Sequence, residues 1–271
     1  MNLKAILCDF DGTLVDKDIK YNPDLKKLLL KLKTKGIRFS LATGRAYYSS
    51  VNNFLNQLNI FDYHILSNGA LIFNNKNNKI LWFQPILKES AKKIIKYLID
   101  SDLNFTLELK DFTYMSKVIE HPSYTDIRYM KPFSKLSDFS RVLKILVFAT
   151  LNNLSDEQTD FYIKNLSEIC KEVNITKFKF YGKNGIDIYS DKATKHTAVL
   201  EYERLLKIPR NQIIAMGDGY NDYPLFTACG YKIAMDNAPK ELKEIADFIA
   251  PTVEKNGTVV ALQHIISMFN L

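Results

Sequence analysis

Cysteine is scarce in this chain and never paired by spacing. Three are present in 271 residues, Cys8, Cys170 and Cys229, an odd number with no CxxC or similar metal-binding interval. That argues against a disulfide framework and a cysteine zinc site, and it implies a reduced, cytoplasmic setting. Histidine is just as thin. Four are scattered singly, so His64, His121 and His264 read as structural or surface residues. Also missing is any run near the ~18 apolar residues of a membrane span. The opening MNLKAILCDFDGT has an apolar stretch too short for a secretory signal, and it ends in acid.

What is present suits a folded chain: 46% hydrophobic and 25% charged residues, with length for one large or two medium domains at ~100–200 residues each. The net charge of +7 raises the question of a nucleic-acid partner. In DLKKLLLKLKTKG, however, lysines interleave with leucines at helical spacing, which makes them the wet face of an amphipathic helix. Neither nucleic acid nor membrane is expected as a partner. Nothing in the sequence determines an oligomeric state.

The periodicity predicts a strand at 3–9, a helix at 23–35 ended by Gly36, a strand at 37–42, a helix at 46–59 and a strand at 63–67. This β-α-β-α-β rhythm implies a parallel sheet with right-handed crossovers. A hairpin comes next, ALIFNN and KILWF. The middle third reads as an α+β layer: helix 88–100, strands near 104–109, 112–118 and 144–150, helix 155–171, and strand KFKFYG. From about 195 the βα rhythm returns through QIIAMGD, YKIAM and DFIAP to a last helix after Asn256-Gly257. The expected fold is α/β, a Rossmann-like parallel-sheet core with an inserted α+β domain. The core is 1–83 plus 186–271, and the insert is 84–185. Short crossings near 84–87 and 182–186 would act as a hinge.

Polar residues gather at the strand ends: Asp9 and Asp11, then Thr43-Gly44-Arg45, then Asn68, then Asp218, Asn221 and Asp222. In an open parallel sheet those ends form one rim, where ligands bind. Singly, each is ordinary turn or cap chemistry. Together, four carboxylates would repel unless a cation sits among them. Oxygen donors without Cys or His suit a hard ion, Mg²⁺ first. Thr43 and the Gly44 amide precede a helix, which favours an anion, and a lysine opening the helix at 195 adds positive charge. A metal beside an oxyanion cradle points to phosphate, with Asp9 attacking phosphorus and Asp11 handling the proton.

DFDGTL resembles the DxDxT signature of the haloacid dehalogenase (HAD) superfamily, ATGR its second motif and GDGYND its acidic fourth. SNGA (67–70), AMDNAPKELKEIAD (234–247) and NGTVVAL (256–262) are similar to the Cof-type phosphatases of that superfamily. The resemblance implies a covalent aspartyl-phosphate on Asp9, with Asp11 as general acid/base. It implies Mg²⁺ held by the Asp9 side chain, the Asp11 carbonyl and Asp218, with Asp222 supporting through water. Thr43, Gly44 and Asn221 would hold phosphoryl oxygens, and Arg45 and Asn68 are candidate substrate contacts. The family's lysine usually opens a helix before Gly. Here Lys192 and Lys195 both offer themselves, and spacing from Asp187-Ile188 and Ala198-Val199 favours Lys195. His196 then replaces the usual Gly, and Asp236 stands where Gly is common.

The expected activity is Mg²⁺-dependent hydrolysis of a small phosphorylated metabolite, such as a sugar phosphate. A phosphomutase of the phosphomannomutase kind shares the fold and capping insert. A signalling module that accepts phosphate on Asp shares the acidic pocket, but it lacks the second Asp and the insert. The insert is expected to cover the site and choose the substrate. Tyr114, Tyr124 and Tyr129 in the insert could stack on a ring, although in a chain with 15 tyrosines such residues more often serve packing.

Overall fold

A computed structural model describes residues 2–48, 50–117, 127–180 and 182–271, with only the backbone of Ile127 and Phe180. His121 and Tyr124 lie outside the described residues. By contact density the chain forms two units. The first holds residues up to Gly44, Phe54–Trp82 and Thr194–Leu271, and the second holds Arg45–Asn53 and Phe83–Ala193.

The first unit is built on five parallel strands. In spatial order they are Phe248–Ala250, Tyr231–Met235, Ile213–Gly217, Ala5–Cys8 and Arg38–Leu41. The runs AILC and IIAMG are buried throughout, as strands covered on both faces must be. Cys8 lies opposite Met216 on one side and Leu41 on the other. The three strands therefore end level, and the loops that leave them emerge on one rim. Helix Asp24–Thr34 buries Leu25, Leu29 and Leu32. It stops just before Gly36 at φ +74°, a backbone state that costs a residue with a Cβ about 1–2 kcal/mol.

The third expected strand, Tyr63–Leu66, joins the parallel sheet at one bridge only, Ala42 to Ile65. Otherwise it pairs antiparallel with Leu71–Asn74, which continues to Lys79–Phe83 in a three-stranded sheet. His64 explains the interruption. Its Nδ1 accepts the Leu41 N–H at 3.0 Å, where a backbone carbonyl would complete a ladder, and its Nε2 meets Asn75 Oδ1 at 3.2 Å.

The second unit carries six strands in the order Val173–Phe180, Lys183–Ser190, Lys144–Val147, Phe105–Glu108, Thr113–Met115 and Met130–Pro132. All adjacent pairs are antiparallel except the last. Helices Lys88–Asp100 and Asp156–Ile169 set Ile94, Leu98 and Leu166 against Leu107, Ile145 and Ile188. Ser155 and Gln158 cap the second helix reciprocally. This unit runs to Ala193, beyond the expected limit of 185. Lys183–Ser190 is a strand paired on both sides, where the sequence suggested a crossing near Asn184-Gly185.

Among the described residues no helix is long and apolar enough to cross a membrane.

Candidate active site

Asp9 is the first residue past strand Ala5–Cys8, and its N–H is tied to the Met216 carbonyl of the neighbouring strand. Its carboxylate is buried and meets Lys195 Nζ at 2.7 Å. Lys195 reaches it because the helix Lys195–Leu206 opens there. Thr194 is the N-cap, and its hydroxyl accepts the Thr197 N–H in a capping box. Gly69, at φ +105°, lets that turn come close: a Cβ at 69 would stand 2.2 Å from the Thr194 carbonyl. The same ammonium bonds Asp222 Oδ1 at 2.6 Å. Lys192 is exposed and belongs to the second unit, so Lys195 is the lysine that the fold brings to Asp9.

Asp222 has a second task. Its Oδ2 accepts the Asp218 and Gly219 N–H groups at 3.0 and 2.9 Å, which curls the loop after strand Ile213–Gly217. That loop aims Asp218 back at Asp9. Carboxylate oxygens of Asp9, Asp218 and Asp222 lie within 4.8 Å of one another. Burial, then Asp222, raise the Asp218 carboxyl to about 7, against the hydrogen bonds it receives. Burial and Asp222 also push Asp9 well above its ordinary value despite Lys195. Burial opposes the charge on Lys195, but Asp222 and Asp9 more than offset it, so its ammonium is held above the usual range. Three carboxylates against one ammonium leave a site that a further cation would balance, and an all-oxygen donor set suits a hard metal ion. The cluster could hold one.

Two partners of Asp218 carried no assigned role in the sequence. Thr13 donates its hydroxyl to Oδ1, and Asn237 donates Nδ2 to Oδ2, each at 2.8 Å. Thr13 is the threonine of DFDGTL. Its own carbonyl takes the hydroxyl of Thr258, from the NGT of the last helix. Asn237 neighbours the puzzling Asp236, which is exposed and paired to Lys243 through both its carbonyl and its carboxylate. The helix-opening His196 contacts Thr227 at 3.1 Å, which joins two helices. Gly12 completes the loop at φ +72°, where a Cβ would stand 2.2 Å from Asp218 Oδ2.

Asp11 is exposed on the same loop, two residues past Asp9. Thr43 and Gly44 come after strand Arg38–Leu41. The Thr43 N–H bonds the Ile65 carbonyl, and its carbonyl accepts the Asn68 N–H. A Cβ at Gly44 would come within 2.6 Å of Asn68 Oδ1, so this pair of strand ends closes tightly on itself. Asn221 is exposed, with Oδ1 folded over Gly219. Arg45 is grouped with the second unit and bonds Ser50 at 2.6 Å. The first unit thus brings Asp9, Lys195, Asp218 and Asp222 into direct contact, with Asp11, Thr43, Gly44, Asn68 and Asn221 placed after strands of the same unit.

A family model described as haloacid dehalogenase-like hydrolase matches residues 6–262. The chain belongs to that family. As a haloacid dehalogenase-like hydrolase it is similar along its length to curated bacterial proteins. It is 23% identical over 273 residues to the Escherichia coli K12 5-amino-6-(5-phospho-D-ribitylamino)uracil phosphatase YbjI, covering 98% of this chain and 97% of that one. It is 24% identical over 287 residues to the Bacillus subtilis phosphatase YwpJ, covering 97% and 100%. A solved haloacid dehalogenase-like hydrolase from B. subtilis superposes with a TM-score of 0.81 at 21% identity, covering 97% and 99%. A sugar phosphatase of HAD subclass IIB gives 0.77 at 20% identity, covering 97% and 98%.

Proposed function

We propose that this hydrolase is a phosphatase that cleaves the phosphomonoester of a small metabolite through a phosphorylated Asp9. The observation that carries the reading is the buried Asp9 carboxylate, held by Lys195 at 2.7 Å within a cluster that includes Asp218 and Asp222. An Oδ of Asp9 forms a bond to phosphorus as the ester P–O bond breaks, and Asp11 gives its proton to the leaving oxygen. Asp11, now a carboxylate, takes a proton from water as that water attacks phosphorus, and Asp9 leaves with inorganic phosphate released. Thr43, the Gly44 amide, Lys195 and Asn221 hold the phosphoryl oxygens, so most of the barrier reduction comes from positioning and charge.

Mg²⁺ fits the oxygen-only donors. Asp9, Asp218 and the Asp11 carbonyl would hold it, Asp222 would support it, and its charge would offset that of the phosphoryl group. The second unit is the source of substrate choice in this reading, with sugar phosphates and related monoesters as the class, a preference supported by the name of the subclass IIB relative. Three free, buried cysteines accord with a cytoplasmic setting. A screen of phosphorylated metabolites, read by phosphate release with and without Mg²⁺, tests the proposal. Release from none of them, or full release after chelation, contradicts it.

A further inference from the structure

Three consecutive residues of the first unit, Ser67, Asn68 and Gly69, hold left-handed backbone, at φ +49°, +59° and +105°. Glycine takes this state freely and asparagine tolerates it, whereas serine adopts it at a cost. The Ser67 side chain offers no local compensation. Its hydroxyl is buried and has no hydrogen-bond partner among the described residues. Strain of this kind persists only where the surroundings impose it, and here contacts on two sides do so. Asn68 gives its N–H to the Thr43 carbonyl at 3.1 Å, and its Oδ1 fills the space that a Cβ at Gly44 would need. Gly69 abuts the start of helix Lys195–Leu206. A Cβ there would stand 2.2 Å from the Thr194 carbonyl oxygen and 3.0 Å from the Lys195 backbone nitrogen. Thr43, Gly44, Thr194 and Lys195 all belong to the same unit as the turn.

We propose that Ser67-Asn68-Gly69 is a positioning turn that fixes the spacing between Thr43-Gly44 and Lys195. Neighbouring residues of the turn touch one group each, Asn68 the first and Gly69 the second, so a shift of its backbone moves one group relative to the other. Lys195 in turn holds Asp9 at 2.7 Å, and a displaced Thr194 carries that contact with it. The backbone is the agent, and the unpartnered Ser67 hydroxyl is not. Misplacing a catalytic group by about 1 Å can cost about 10²-fold in rate. A misplaced oxyanion cradle loses affinity as well, because it meets the phosphoryl oxygens both before and during transfer.

This inference rests on the phosphatase reading. The test is the inhibition constant of inorganic phosphate and the kcat/KM for para-nitrophenyl phosphate, both with Mg²⁺, in the full chain and its variants, with circular dichroism confirming each fold. Inorganic phosphate has no leaving group, so its inhibition constant reports the cradle alone. Gly69→Ala pushes on the helix start and should raise that constant and lower kcat/KM by about tenfold or more. Ser67→Val sets a β-branched residue at φ +49° and should repeat the result, and it stands in for Gly69→Ala should that variant not fold. Ser67→Gly removes the hydroxyl but suits the backbone, and it should keep both constants within about twofold of wild type. Gly36→Ala carries a left-handed cost with nothing within 4 Å, and it should leave both unchanged. Folded Gly69→Ala or Ser67→Val with wild-type constants would overturn the inference. So would Ser67→Gly losing as much as Ser67→Val, which would make the hydroxyl the agent, or Gly36→Ala shifting both constants equally. Wild-type protein that releases phosphate from no monoester would instead defeat the phosphatase reading itself.

Discussion

The ammonium of Lys195 stands 2.7 Å from Oδ1 of Asp9, with both side chains buried and 186 residues of sequence between them. Asp222 shares the same ammonium. Replacing Lys195 by Met keeps the volume and leaves two carboxylates facing each other without their cation. Breaking a buried pair in this way costs about 3–5 kcal/mol. Urea unfolding in metal-free buffer should show a loss of that order, together with collapse of phosphatase activity. Unchanged stability would mean that Lys195 does not hold the cluster.

Thr13 and Asn237 orient Asp218 from two sides. Outer partners of a metal carboxylate affect affinity by about 10–100-fold. Thr13→Val and Asn237→Ala should each weaken Mg²⁺ affinity by at least about tenfold, whereas Asp236→Ala should leave it unchanged. Calorimetric Mg²⁺ titration checks the ranking, and an effect of Asp236→Ala equal to that of its neighbour would refute it.

Gly12 and Gly36 share nearly the same backbone, φ +72° and +74°, in different surroundings. Nothing lies within 4 Å of a Cβ added at 36, whereas one at 12 meets Asp218. Gly36→Ala should therefore cost only about 1–2 kcal/mol of backbone strain and keep full activity. Gly12→Ala should cost more and displace Asp218, with activity falling steeply. Thermal unfolding and kcat on the two variants separate strain from obstruction.

Much of this site was legible because its acids sit directly after apolar strands. Asp9 comes after AILC and Asp218 after IIAMG, so a parallel sheet forces them onto one rim although they are far apart in sequence. Thr13 and Asn237 were not legible. A threonine or asparagine in a turn carries no mark of which distant carboxylate it will meet. Strand Lys183–Ser190 was obscured by Asn184-Gly185, which imitates a turn. Gly185 serves instead to admit the Phe178 ring, 2.2 Å from where a Cβ would be, and the chain reverses at Gly182 at φ +75°. The departure of Tyr63–Leu66 from the parallel ladder was equally hidden, since it depends on the direction His64 points.

His64 makes that departure pH-sensitive. Burial holds its imidazole down to about 4 from an ordinary 6.5, against the Asn75 bond. In the unfolded chain the ring gains a proton near 6.5, and in the folded chain it resists until about 4. The unfolded state therefore binds more protons throughout that window, and stability falls as pH drops through it. At about 1.4 kcal/mol per unit the full loss is about 3 kcal/mol. His64→Gln should remove this slope from urea unfolding measured between about pH 7 and pH 4. An identical slope in both proteins would assign the sensitivity elsewhere.

The identity of the nucleophile is tested most directly by the turnover rate of Asp9→Asn on para-nitrophenyl phosphate, with circular dichroism confirming the fold. The amide keeps the shape of the carboxylate and its contact with Lys195, but it cannot form the covalent bond to phosphorus. The rate should fall at least about 10³-fold below wild type. A folded variant that keeps a tenth of the wild-type rate would show that Asp9 is not the residue that attacks.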